Sequence, residues 1–170
     1  VKGIVPREVV RVITPALALD SDSIDARRPN FLVAIARGEQ AFGFALLELG
    51  AAEVSAASFA SESELIAELA RCEPREILLH GDADALSSSL ERMFPRAAVR
   101  KVDSSLLERA RQEPQIDTVL ALHPEPARFA AHSSDAVRVL LRYTLDAQPG
   151  AALDVQRLMA YDTANLLALD

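Results

Sequence analysis

The residues whose type and spacing could do chemistry in this chain are carboxylates. Glu64 and Glu68 stand one helical turn apart, and Asp82 and Asp84 follow a short apolar run two residues apart. Brought together, such groups can hold two divalent ions about 4 Å apart, which activate water and stabilise a phosphoryl displacement. That is the chemistry of a metal-dependent nuclease. It also needs an acid on the central strand, and the stretch FLVAIA at 31–36 has none. Glu64 and Asp82 fall instead at expected helix starts, where the helix dipole favours negative charge.

Other catalytic arrangements are weaker still. His80, His123 and His132 share no metal-ligand spacing, and the single Cys72 adds no second thiolate. Cys72 is expected to be a buried thiol, and one cysteine excludes an internal disulfide framework. No G-x-S-x-G elbow is present, and with six glycines no G-x-x-x-x-G-K-[ST] phosphate loop occurs. Arg96, Arg100 and Lys101, with Arg109 and Arg111 further on, read as a solvated face rather than a ligand patch. A net charge of -7 argues against tight binding to a polyanion. No apolar run reaches the length of a membrane span, and no secretory signal pattern opens the chain, so a cytoplasmic location is expected.

The elements that would carry these residues are organised around 31–59, FLVAIARGEQAFGFALLELGAAEVSAASF, which reads as three strands broken at 37–40 and at 50–52. The first two are apolar on both faces, so helices are expected on both sides of the sheet. Ser61 and Glu64 fit a capping box opening a helix that Pro74 ends. A short strand at 76–79, a helix from Gly81–Asp82 to Pro95 and a strand at 97–102 follow, and this alternation calls for parallel strands. Asp103 and Glu108 suggest a short helix stopped by Pro114, and 118–122 reads as strand or buried coil. Ser133 and Ser134 are expected to cap the longest helix, with Ala136, Val137, Leu140, Leu141 and Leu145 as its apolar stripe. The expected fold is α/β and ribonuclease H-like. It has a mixed five-stranded sheet, an antiparallel meander continuing into parallel strands, with helices on both faces.

A resemblance sharpens this. The segment GIVPREVVRVITP, residues 3–15, resembles the stretch that follows the mismatch-reading domain in the MutS family of DNA mismatch repair proteins. Asn30-Phe31-Leu32, Phe42-Gly43-Phe44-Ala45, Glu64-Leu65 with Glu68-Leu69, Pro74-Arg75-Glu76-Ile77-Leu78 and LLRYTL at 140–145 are similar to the family's connector domain. Thr14-Pro15-Ala16-Leu17 departs from the family's usual T-P-G-T, so a φ > 0 turn after Pro15 has to be remade.

The resemblance implies three parts: 1–24, a lead-in strand and linker from the mismatch reader; 25–147, the connector domain; and 148–170, a linker toward the core and lever. It implies no catalytic, cofactor-binding or metal residues in this stretch. ATP and Mg would belong to a phosphate-loop ATPase elsewhere in the full-length protein. Neighbouring MutS domains and MutL are the implied partners, with DNA bound only in the full-length dimer. The opening Val-Lys-Gly-Ile without Met suggests a piece of a longer chain. Two other readings stand beside this one: a diverged ribonuclease H-like nuclease using Asp82, Asp84 and Glu64, and a stand-alone interaction module.

Overall fold

The computed structural model describes residues 30–48, 51–81, 84–124, 129–148 and 153–160. The lead-in strand expected at 4–13, Asp82 and the end of the tail lie outside these residues. The first three strands are β1 (Phe31–Arg37), β2 (Phe42–Glu48) and β3 (Glu53–Phe59), joined as an antiparallel meander. Helix α1 (Glu62–Cys72) leads to β4 (Glu76–His80), and α2 (Asp84–Met93) leads to β5 (Ala98–Lys101). Strand β4 lies parallel to β1 on the side away from β2, and β5 lies parallel to β4. Helices α3 (Ser104–Arg111), α4 (Pro114–Leu120) and α5 (Ala131–Ala147) then precede β6 (Arg157–Ala160).

The expectation of five strands is corrected. The sheet has six, in the order β5-β4-β1-β2-β3-β6. Part of the tail read as an outgoing linker thus returns as an edge strand, parallel to β3, with Leu158 buried. Leu158 enters the same apolar cluster as Val54 and Ala56, which gives this stretch the hydrophobic partner its sequence does not reveal.

Two apolar layers hold the sheet, as strands apolar on both faces require. Leu32, Ala34, Leu47 and Leu78 pack against α3, α4 and α5. Val33, Ile35, Phe44, Ile77 and Leu79 pack against α1 and α2. The alternation arises because successive side chains of a strand point to opposite faces.

Local chemistry sets the helix ends. Ser61 Oγ accepts from the Glu64 amide at 3.2 Å, while Glu64 Oε2 accepts from the Ala60 amide at 3.1 Å, so α1 opens on a two-way cap. It closes with Glu73 in the left-handed region at φ 47°. Pro114 does not merely stop α3. It occupies the first turn of α4, where a missing N–H costs nothing, and Glu113 caps that helix through the Gln115 amide. Thr118, Val119 and Leu120 are therefore helical, correcting the expected strand or coil.

Helix α5 also begins earlier than its serines suggest, with Ala130 as an N-cap residue that supplies no side-chain bond. Ser133 Oγ instead donates to the Ala57 carbonyl at 3.0 Å, tying the helix to β3. Gly43 lets α5 come this close, because a Cβ there would meet the His132 carbonyl oxygen at 1.9 Å.

Candidate functional site

The carboxylates that could form a metal centre are held in separate local contacts. Glu64 caps α1, and Glu68, buried one turn later, is gripped by the guanidinium of Arg71. Asp84 opens α2 and accepts from Lys101 Nζ at 2.6 Å. The Lys101 hydrogen bond and charge hold the Asp84 carboxyl below its ordinary range. Strand β1 brings only buried apolar side chains between its ends. Among the described residues, no group of three or more His, Cys, Asp or Glu side chains is placed to hold a metal ion. Asp82 lies outside the described residues.

The histidines are dispersed as well. His80 ends β4. His123 packs its ring on Phe129 with centroids 4.6 Å apart. His132, at the start of α5, places Nε2 at 2.6 Å from Ser58 Oγ. Cys72 is buried, and burial pushes its thiol up to about 12, with the charge of Glu68 adding to the rise. It is no nucleophile in the folded protein.

Nor do the expected basic residues form one patch. Arg100 is paired with Glu76, Arg109 with Asp146, and Arg111 with Glu108 and Asp135. Asp146 also accepts from Arg142, which reaches Glu113 at 3.3 Å, so α3, α4 and α5 are laced together by charge. Burial works against ionisation of Asp146, but hydrogen bonds from Arg109 and Arg142 outweigh it and hold its pKa low. These ions organise helices rather than wait for a ligand.

The open feature is a groove on the α1–α2 face of the sheet, where β1 begins and β2 ends. Phe31, Leu46, Met93, Phe94 and Met159 provide its apolar wall. Arg75 and Arg96 stand toward β4 and β5, and Glu48 and Glu53 toward β2 and β3. Sequence reasoning does not find this groove, because its lining comes from six separated stretches. Glu76, fully buried at the start of β4, is another residue it passes over.

Comparison with known proteins gives the family to which this packed domain belongs. The family model described as MutS domain II matches residues 30–117, which run from the start of β1 into α4. A DNA mismatch repair protein MutS from Sorangium cellulosum is 36% identical over 187 aligned positions, covering 100% of this chain and 20% of the relative. The MutS protein of Myxococcus xanthus is 33% identical over 177 positions, covering 99% of this chain and 20% of the relative. That of Syntrophobacter fumaroxidans is 45% identical over 84 positions, covering 48% of this chain and 9% of the relative. The chain thus spans about a fifth of the length of the first two relatives, 20% in each. With the family model covering the meander and the first crossovers, and similarity to MutS proteins running the length of the sequence, the chain belongs to the MutS family and carries its domain II.

Proposed function

We propose that the chain is a non-catalytic connector domain of a MutS-type DNA mismatch repair ATPase. In this reading it joins the mismatch-reading domain to the core and ATPase domains and offers a surface on which MutL docks. The observation that carries the non-catalytic part is the state of the acids. Glu64, Glu68 and Asp84 each serve a cap or an ion pair, and β1 supplies no carboxylate beside them. Nuclease chemistry by two metal ions would have to break those contacts first. No specific contact favours the nuclease reading.

We read the fold as ribonuclease H-like. Support comes from the run β5-β4-β1-β2-β3, in which an antiparallel meander is extended by two parallel strands, with β6 as an addition beside β3. ATP and Mg belong, on this reading, to a part of the longer protein outside this sequence, and DNA is met only by the assembled dimer in the cytoplasm. No helix among the described residues is long and apolar enough to cross a membrane. Domain II of the MutS proteins gives the joining role its support.

The test uses the full-length parent protein with and without this domain, residues 30–160 being replaced by a flexible linker. Retention of MutL on mismatched DNA should be lost in the replaced protein while ATP turnover persists. Undiminished MutL retention would remove the docking role. Metal-dependent cleavage of nucleic acid by the purified chain, above the level of a catalytically dead control preparation, would remove the non-catalytic reading.

A further inference from the structure

The two edges of the sheet are held in different ways. Strand β5 is fixed at both ends: the Ala98 amide donates to the Arg75 carbonyl at 2.9 Å, and the Val102 amide to the Leu79 carbonyl at 2.8 Å. Between them Arg100 and Lys101 are ion-paired with Glu76 and Asp84. The helices before and after it, α2 and α3, put Leu86, Leu90, Leu106 and Leu107 into the two apolar layers.

Strand β6 is held from one end. The Gln156 amide donates to the Ala52 carbonyl at 2.9 Å, Arg157 Nη1 stands 3.7 Å from Glu53 Oε1, and just upstream the Leu153 amide donates to Gln115 Oε1 of α4 at 3.0 Å. Toward the other end Met159 and Ala160 are exposed, and the ladder to Ser55 and Ala56 is their hydrogen-bonded support. Leu158 is the one buried side chain of the strand. Few buried apolar contacts and solvent-exposed backbone bonds are what let a segment open below the free energy of global unfolding.

The edge of β3 is covered in two separate parts. Strand β6 pairs with Glu53–Ala56, whereas β3 runs on to Phe59. Beyond Ala56 the start of α5 takes over, with Ser133 Oγ on the Ala57 carbonyl and His132 against Ser58. Strand β3 is also paired along its whole length with β2. Lifting β6 therefore leaves β3 and α5 fastened to each other and to the sheet.

We infer that β6 is a detachable strap, which lifts from β3 at its Ala160 end and pivots on the contacts of Gln156 while the other five strands stay folded. Opening bares the outer edge of β3 over Glu53–Ala56, a row of unpaired amides and carbonyls. It also frees the four residues of the strand, which span roughly 13 Å when extended. On the connector reading, that release lengthens the link to a neighbouring domain. The opening itself does not depend on that reading, since exchange measured on this chain alone detects it.

Hydrogen exchange of the 15N-labelled full chain, followed residue by residue at low urea, is the test. The β6 amides bonded to β3 should exchange about a hundredfold faster than those of β1 and β2, and with little dependence on urea, because so small an opening exposes little surface. Within the strand, the Gln156 amide at the pivot should be slower than the bonded amides beyond Arg157. Ile35→Val, in the apolar layer opposite Leu158, raises the native state and the opened state alike. It should speed exchange in β1 and β2 about fivefold and leave β6 unchanged. A disulfide between Ser55→Cys and Met159→Cys, which are register partners, in a Cys72→Ala background should slow β6 exchange about tenfold or more, and reduction should reverse this. Exchange in β6 as slow as in β2, or with the urea dependence of global unfolding, overturns the proposal. So does β6 quickening with β1 in Ile35→Val, a Gln156 amide as fast as those beyond it, or a cross-linked chain whose β6 exchanges as it does when reduced.

Discussion

Tyr143 of α5 donates its hydroxyl to Glu76 Oε2 at 2.5 Å, and Arg100 Nε approaches the same oxygen at 2.9 Å. Glu76 is 0% exposed, so its carboxylate depends on these partners for what water would otherwise give. The contact fastens the C-terminal half of α5 to β4 across the apolar layer. Replacing Tyr143→Phe keeps the ring and removes the donor, leaving a buried carboxylate with one hydrogen bond fewer. We expect a loss of about 1–3 kcal/mol in unfolding free energy with an unchanged denaturant slope. Urea titration followed by circular dichroism measures it, and an unchanged midpoint would show that the hydroxyl contributes nothing to holding α5.

Gly43 should tolerate no side chain. Alanine in a strand interior ordinarily stabilises relative to glycine. Here the added carbon would sit 1.9 Å from the His132 carbonyl oxygen and 2.8 Å from the Ser133 nitrogen, and both are backbone. The start of α5 would have to move off β2, disturbing the Ser133–Ala57 and His132–Ser58 hydrogen bonds with it. Gly43→Ala is therefore expected to cost about 2–4 kcal/mol. Gly38→Ala, whose added carbon meets the Ala41 oxygen at 3.1 Å, should cost about 1 kcal/mol or less. Equal midpoints for the two variants in the same urea titration would contradict the close approach.

Asp146 gives the stability of the helical layer a definite acid dependence. Burial opposes its ionisation, but the hydrogen bonds from Arg109 and Arg142 bring its folded-state pKa below the ordinary 3.8. A depressed folded pKa stabilises the native state above the unfolded pKa, and this contribution disappears as pH falls through the folded value. Asp146→Asn should lower stability by about 1 kcal/mol at pH 7, a modest figure because the pair is partly exposed to water. The difference should shrink as pH falls below about 4. A gap between the two proteins that stays constant from pH 7 to pH 2 would exclude the ionic contribution.

What could be read from the sequence follows the distance over which each feature is determined. The meander is legible because Phe31, Val33 and Ile35 alternate with Leu32, Ala34 and Ala36, and a strand apolar on both faces has few other uses. The cap of α1 is legible because Ser61 and Glu64 lie three residues apart. Pro114 is ambiguous, since the same ring that ends one helix suits the first turn of the next. Strand β6 buries one side chain, Leu158, between exposed Arg157 and Met159, too short a pattern to announce a strand. Glu76 looks solvent-facing because the partners that make its burial possible, Tyr143 and Arg100, come from later in the chain. As for the candidate site, the lack of an acid on β1 is visible in six consecutive letters. The groove, built by a row running across strands, is not visible at all.

Cys72 should report global unfolding rather than surface chemistry. It lies in the last turn of α1, 7% exposed, packed in the same layer as Leu65, Leu69 and Ile77. Burial is the main reason its thiol is pushed up to about 12; Glu68 reinforces the shift and Arg71 partly offsets it. At pH 8 only about one molecule in ten thousand would carry the thiolate, against roughly a quarter in the unfolded chain. Since the thiolate is the reacting form, modification by a disulfide reagent should be roughly a thousandfold slower in the folded protein, before access is considered. The rate should climb through the same urea range in which circular dichroism reports unfolding. Rapid modification at pH 8 with the dichroism spectrum still native would mean that the α1–β4 corner opens locally, and that the thiol is not held in the α1–α2 layer.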